Sequence, residues 1–391
     1  MRNALLALVA AAGATATVTS CTYRTALDTH PRSGGVPGAG GSLGTGGIGA
    51  TGGTTAAGGT TGAGGATSAG SATATVGPCD AFAASKTPCV AAHSTVRALY
   101  GAYGGNLYRV ERSDGTSKDI GLLAPGGFAR SADQDVFCGA SACSISIIYD
   151  QSGNGSHLTY AANNGERAGS RPADAKALSI TLGGHKVYGV HLPPGAGYAY
   201  DVYTRGSARN VAMGDMPETI YMVASGDYYN GGCCFEYGNV ETPITNDHQA
   251  ATEAVYFGDC ATSGKGSGSG PWVMADLGGG RWAGDTPTYA GNTSVSYKFV
   301  TAMVKGDSGN HWAIKAGDAQ AGGLTTMFNG ARPATLPTLM AKQGAIVLNI
   351  VGELDNPGEG NFFEGVMTAG YSTDAADEAV QANVVAAGYG R

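Results

Sequence analysis

Between residues 33 and 77 the chain is built almost wholly from Gly, Ala, Thr and Ser, as in Gly44-Thr45-Gly46-Gly47 and Gly62-Ala63-Gly64-Gly65. Such a tract has too little apolar surface to offset the entropy lost on ordering, so the sequence predicts a flexible tether. Any core must come from residues 78–391, where no second tract of this kind divides the sequence. The chain is thereby parsed into residues 1–21, a low-complexity linker over 22–77, and one folded domain over 78–391.

The first segment opens on Met1-Arg2-Asn3, continues as an apolar Ala/Leu/Val run and ends on Val18-Thr19-Ser20-Cys21. A basic start and a short apolar stretch predict an export signal rather than a membrane span. The small residues before Cys21 resemble a bacterial lipobox, which would leave Cys21 lipidated; simple signal cleavage is the alternative. Either way the folded part is expected outside the cell, touching a membrane only through a lipid on Cys21. A net charge of −7 gives no polyanion-binding signature, so nucleic acid is not an expected partner.

Within 78–391, short runs of β-branched and aromatic residues alternate with turn signals. Ser144-Ile145-Ser146-Ile147-Ile148-Tyr149 and residues 219–223 and 294–304 read as strands, and Asp150-Gln151-Ser152-Gly153-Asn154-Gly155 and Pro193-Pro194-Gly195 read as turns. Many short strands at close spacing predict an antiparallel sandwich. Two helices are expected: residues 90–100, with Val96, Leu99 and Tyr100 at helical spacing, and residues 374–387, with Ser372 and Thr373 as caps and Val380 and Val384 on one face.

Eight cysteines are present. Cys79/Cys89, Cys138/Cys143 and Cys233/Cys234 are close in sequence; Cys21 and Cys260 remain, either separately or as a pair. The doublet is unusual. Consecutive Cα atoms lie about 3.8 Å apart, whereas a relaxed disulfide prefers roughly 4.4 to 6.8 Å. It reads either as a vicinal disulfide offering a rigid sulfur surface to the apolar face of a sugar, or as two cysteines paired elsewhere or free. No phosphate-binding loop, zinc motif or nucleophile elbow occurs, so no metal and no organic cofactor are expected. The chemistry falls to carboxylates in glycine-rich or aromatic settings: Asp150, Glu236, Glu241, Glu253, Asp276, Asp285, Glu353, Asp355 and Glu364. Paired carboxylates carry glycoside hydrolysis.

Five stretches together carry a resemblance: residues 79–94, ending in Val90-Ala91-Ala92-His93-Ser94; Ile147-Ile148-Tyr149-Asp150-Gln151-Ser152-Gly153; Cys233-Cys234-Phe235-Glu236-Tyr237-Gly238-Asn239; Gly270-Pro271-Trp272-Val273-Met274-Ala275-Asp276; and Glu364-Gly365-Val366-Met367-Thr368. In this order they resemble the catalytic domain of fungal α-L-arabinofuranosidase B, glycoside hydrolase family 54, over residues 78–389. The resemblance implies an all-β sandwich of the concanavalin-like or jelly-roll type with a short C-terminal helix. It implies removal of terminal α-L-arabinofuranosyl groups from arabinan and arabinoxylan outside the cell; separately, the chain is expected to be a monomer. It also implies disulfides Cys79–Cys89, Cys138–Cys143 and Cys233–Cys234, the last packing with Asp276 against bound arabinose.

The same comparison exposes departures. The family's nucleophilic glutamate falls on Gly278, and the two sugar-binding asparagines that follow fall on Gly279 and Gly280. The acid/base aspartate falls on Glu353, after Gly352, and a tryptophan lining the pocket falls on Ser263. The family's β-trefoil sugar-binding module has no counterpart before Arg391. Three readings fit: an enzyme whose missing carboxylate comes from a neighbour such as Asp285; an impaired relative that binds arabinoglycans at the cell surface; and an inverting enzyme with Glu353 as acid and a water held by Asp276 or Glu253.

Overall fold

The computed structural model describes residues 76–160, 170–200, 206–242, 249–350 and 358–391. The signal, Cys21, the tether up to residue 75, Gly352, Glu353 and Asp355 lie outside the described residues.

Two antiparallel sheets form the body. The first runs in the order β1 (Cys89–Ser94), β21 (Gly360–Thr368), β10 (Glu218–Tyr229), β17 (Phe299–Asp307), β18 (His311–Asp318) and β19 (Ala321–Ala331), with β8 (Val190–Leu192) also on β21. The second runs β15 (Arg281–Trp282), β14 (Trp272–Asp276), β12 (Glu253–Gly258), β11 (Glu236–Val240), β20 (Ala345–Leu348), β9 (Tyr198–Tyr200), β5 (Leu158–Thr159), β4 (Cys143–Ile148), β2 (Tyr108–Arg112) and β3 (Ser117–Ile120). Two small ribbons join β13 (Lys265–Ser267) to β16 (Thr288–Thr293) and β6 (Ser179–Leu182) to β7 (His185–Tyr188). This is the expected all-β sandwich.

Strand alternation decides what faces where. Tyr237, Val255, Phe257, Val273, Ala275, Ile346 and Leu348 of the second sheet point into the shared core, with Ile220, Met222, Val304 and Phe362 of the first. Each fully buried apolar side chain there contributes roughly 1.5 to 3 kcal/mol relative to exposure. The core also encloses an imidazole. The ring of His93 on β1 meets the Tyr237 hydroxyl at Nδ1 and the Ser156 carbonyl at Nε2, each at 2.8 Å. Nε2 therefore carries the proton and Nδ1 accepts, and burial holds the pKa of His93 below its usual value.

Residues 90–100 are not a helix. Their first half is β1, whose register partner is β21, and their second half is a turn in which Val96 and Leu99 are buried. Pairing with a strand far along the chain overrides local spacing. The expected strand over 294–304 begins only at Phe299. Two short helices escaped sequence reading, α1 (Pro78–Ala84) and α2 (Ser131–Cys138), and each carries one half of a disulfide, Cys79–Cys89 and Cys138–Cys143. In α1 the Asp80 carboxylate accepts from the Gly77 N–H, closing the first turn. The C-terminal helix α3 (Asp374–Ala387) forms as expected, with Thr373 Oγ1 accepting from Ala376 N–H and Gly388 ending it at φ 78°. Val380 and Val384 are buried beneath it, and its Asp377 reaches Lys305 at 2.6 Å and Lys315 at 2.7 Å on the first sheet.

Candidate active site

The side chains that alternate with the core residues of β11, β12 and β14 emerge on the outer face of the second sheet. There Cys234, Tyr256, Cys260, Trp272, Met274 and Ala283 form a separate apolar cluster, edged by Cys233 and Tyr289. Cys233 and Cys234 are bonded to each other across a cis peptide. Asn230 fixes the approach to the doublet, its Oδ1 accepting from Gly232 N–H at 2.9 Å and Glu359 N–H at 3.2 Å. There is no free thiol among the described residues, Cys260 included. Sulfur and carboxylate atoms of Cys233, Cys234 and Asp276 lie within 4.8 Å of one another. Disulfide sulfurs are not thiolates, so this trio is not a metal ligand set.

Asp276 ends β14, 2% exposed. Its Oδ2 stands 3.8 Å from Cys234 Sγ, and its Oδ1 accepts from Gly278 N–H at 2.9 Å. The second bond shapes the turn that follows. Residues 277–280 connect β14 to β15, with Leu277 N–H donating to Gly280 O at 3.4 Å. Gly278, Gly279 and Gly280 have φ 70°, 83° and 134°, a run of backbone conformations open to glycine and costly for most other residues. Position 278, beside the disulfide and Asp276, thus presents backbone and no carboxylate.

The chain returns as β15, pairing Arg281 with Asp276 and Trp282 with Ala275. Arg281 therefore shares the face of Asp276. It is fully buried, with Nη1 3.1 Å from Cys234 Sγ, Nη2 3.0 Å from Cys260 Sγ and in contact with Ser263 Oγ, and the guanidinium carbon 5.3 Å over the Tyr256 ring. Burial pushes the Tyr256 phenol up to about 12 despite the neighbouring cation. Sequence reading missed Arg281. The available signal was a cation in the strand position opposite Asp276 across a four-residue turn.

The other candidate carboxylates separate by location. Glu236 is buried on the same outer face, opposite Tyr256. Asp285 is exposed in the loop beyond β15, where Ala283 N–H donates to Pro287 O. Glu253 points the other way, into the layer between the sheets, paired with Lys342 at 2.6 Å and Arg332 at 3.3 Å. It cannot hold a water on the outer face, which corrects that expectation. Asp150 is spent on the backbone N–H groups of Ala92, Ser152 and Ser156, and Glu364 on Arg97, Tyr221 and Tyr389. Glu241 accepts from Thr252 Oγ1 at 3.0 Å.

With this geometry in view, the family described as "Alpha-L-arabinofuranosidase B, catalytic" matches residues 78–390. The chain is 50% identical over 321 residues to the probable alpha-L-arabinofuranosidase B of Aspergillus terreus, covering 80% of this chain and 62% of that protein. It is 49% identical over 321 residues to the alpha-L-arabinofuranosidase B of Aspergillus oryzae, with the same coverage. The chain thus spans about three fifths of the length of these relatives. Among solved structures, a GH54 α-L-arabinofuranosidase soaked with a cyclic sulfate inhibitor superposes with a TM-score of 0.76 at 45% identity, covering 80% of this chain and 66% of that one. An arabinofuranosidase complexed with arabinofuranosyl-alpha-1,2-xylobiose gives the same TM-score and coverage at 44% identity. By fold, by sequence and by the match across its whole folded part, the chain belongs to the α-L-arabinofuranosidase B catalytic-domain family.

Proposed function

We propose that this chain is a glycoside hydrolase that removes terminal α-L-arabinofuranosyl groups from arabinan- or arabinoxylan-type glycans and is exported from the cell. The observation that carries the reading is the outer-face pairing of the Cys233–Cys234 disulfide with Asp276, whose carboxylate comes within 3.8 Å of Cys234 Sγ. In this reading the disulfide packs on the apolar face of the sugar and Asp276 holds a ring hydroxyl. Glu353, following Gly352, gives its proton to the leaving glycosidic oxygen, and the backbone of Gly279 and Gly280 borders the sugar.

A second reading, an arabinoglycan-binding surface protein with little turnover, is favoured by one feature: Gly278 has no side chain to attack or to balance the oxocarbenium charge. Release of nitrophenol from 4-nitrophenyl α-L-arabinofuranoside separates the two. The enzyme reading expects turnover by the purified chain that falls by roughly 10²- to 10⁴-fold in Glu353→Gln, the usual contribution of a general acid. Asp285→Ala, at an exposed loop, is expected to change the rate little. Saturable arabino-oligosaccharide binding with no nitrophenol release would decide for the binding protein.

A further inference from the structure

The molecule pairs its buried cations with carboxylates: Arg97 with Glu364 at 2.6 Å, Lys305 with Asp377 at 2.6 Å, Arg332 with Glu253 at 3.3 Å and Lys342 with Glu253 at 2.6 Å. Arg281 departs from this rule. It is 0% exposed, yet its guanidinium meets two sulfurs, one hydroxyl and the face of a tyrosine, and no carboxylate among the described residues pairs with it. Its Nε–H has no acceptor among the described residues. Asp276 sits opposite it across the hairpin, but the Asp276 carboxylate turns to the Gly278 N–H and to Cys234. A cation taken out of water without a counter-charge is strongly unfavourable, and disulfide sulfur is a weak acceptor. At the residue before it, a side chain begun at Gly280 would meet nothing within 4 Å.

We propose that Arg281 is the anion receptor of this pocket and that it takes a carboxylate brought by the ligand. Guanidinium and carboxylate match as a planar, two-toothed pair, and such charge-assisted hydrogen bonds are about twice as strong as neutral ones. The carboxylate has two chemical sources, a uronic acid within the glycan or a small free ion such as formate or acetate. The inference rests on the proposed function only in taking this face as the glycan site, and it makes Arg281 a determinant of specificity toward acidic sugars.

The test is calorimetric titration of the full chain with D-galacturonate, D-glucuronate, L-arabinose, sodium formate and sodium acetate, against sodium chloride at matched ionic strength. At least one carboxylate probe is expected to bind about tenfold or more tighter than arabinose and chloride, and to raise the melting temperature. In Arg281→Met that ratio should fall to about one, and Arg281→Lys should restore part of it. Binding by uronates alone assigns the carboxylate to the sugar; binding by formate and acetate alone assigns it to a free ion. Formate binding that depends on Arg281 without any sugar binding would overturn the glycan reading and leave the receptor standing. Equal affinity for charged and neutral probes, or a preference that survives Arg281→Met, overturns the proposal. Should that variant fail to fold, the wild-type selectivity of carboxylates over chloride decides the matter.

Discussion

A glutamate at position 278 would have to adopt φ near 70°, where an L side chain costs roughly 1 to 2 kcal/mol. Gly278→Glu is therefore expected to melt several degrees below the wild type. Gly278→Ala should lose about as much, because the penalty comes from the Cβ. The two variants should differ in chemistry: with a carboxylate beside Cys234 and Asp276, Gly278→Glu is expected to raise nitrophenol release at least about a hundredfold, while Gly278→Ala gains nothing. Equal rates in both would show that position 278 does not face the anomeric carbon. The Cys233–Cys234 bond was legible in the sequence through the family resemblance, since it is a statement about two neighbouring side chains. Arg281 was not, since a cation beside a glycine turn reads as solvated, and only the register with Asp276 puts it under the sheet's outer cluster.

At the scale of elements, β12 shows how alternation assigns chemistry. Glu253 and Ala254 are neighbours, yet Ala254 pairs with Asp276 on the side of the candidate site while Glu253 enters a buried ionic group with Lys342, Arg332 and Glu218. A side chain begun at Gly306 on the facing strand β17 would collide with the Glu253 carboxylate, so the first sheet leaves room for this group with a glycine. Burial raises Glu218 to about 8 against the pull of Lys342, with the charge of Glu253 adding to the rise. The folded state then holds a proton that the unfolded chain has lost between pH 4.5 and about 8, so this group lowers stability as pH rises through that window. Glu218→Gln removes the term. Its denaturation midpoint relative to wild type should climb from pH 4.5 to 8 and level off beyond; a difference that stays constant with pH would show Glu218 ionised throughout. His93, whose lowered pKa makes stability fall below its usual value near 6.5, is common to both proteins and cancels. Such inter-sheet pairs are invisible to periodicity, as is the pairing that turns residues 90–94 into a strand. By contrast α3 was legible from its caps and its stripe of Val380 and Val384, all of which are local.

For the molecule as a whole, α1 at Pro78 is the first element of the described residues. What no composition conveys is which of two stereochemical routes a site missing one carboxylate follows. A retaining glycosidase needs its second carboxylate close enough to bond the sugar, about 5 to 5.5 Å from the acid, whereas an inverting one activates a water across about 6.5 to 9.5 Å. Gly278 offers nothing to bond, and Glu253 is locked between the sheets by Lys342 and Arg332. Asp276 remains on the outer face, with Oδ2 turned toward the disulfide, as a group to orient a water. Turnover by the wild type is therefore expected to proceed by direct attack of water, with Glu353 as acid, and to release arabinose with inverted anomeric configuration. Gly278→Glu restores a group that can form the covalent intermediate and is expected to switch the first-formed product to the retained anomer. Proton NMR of the anomeric signal during the first minutes of hydrolysis, before mutarotation, reads both outcomes. Retention by the wild type would mean that another carboxylate on this face, with Glu236 the first to test by Glu236→Gln, has taken over the nucleophile's place.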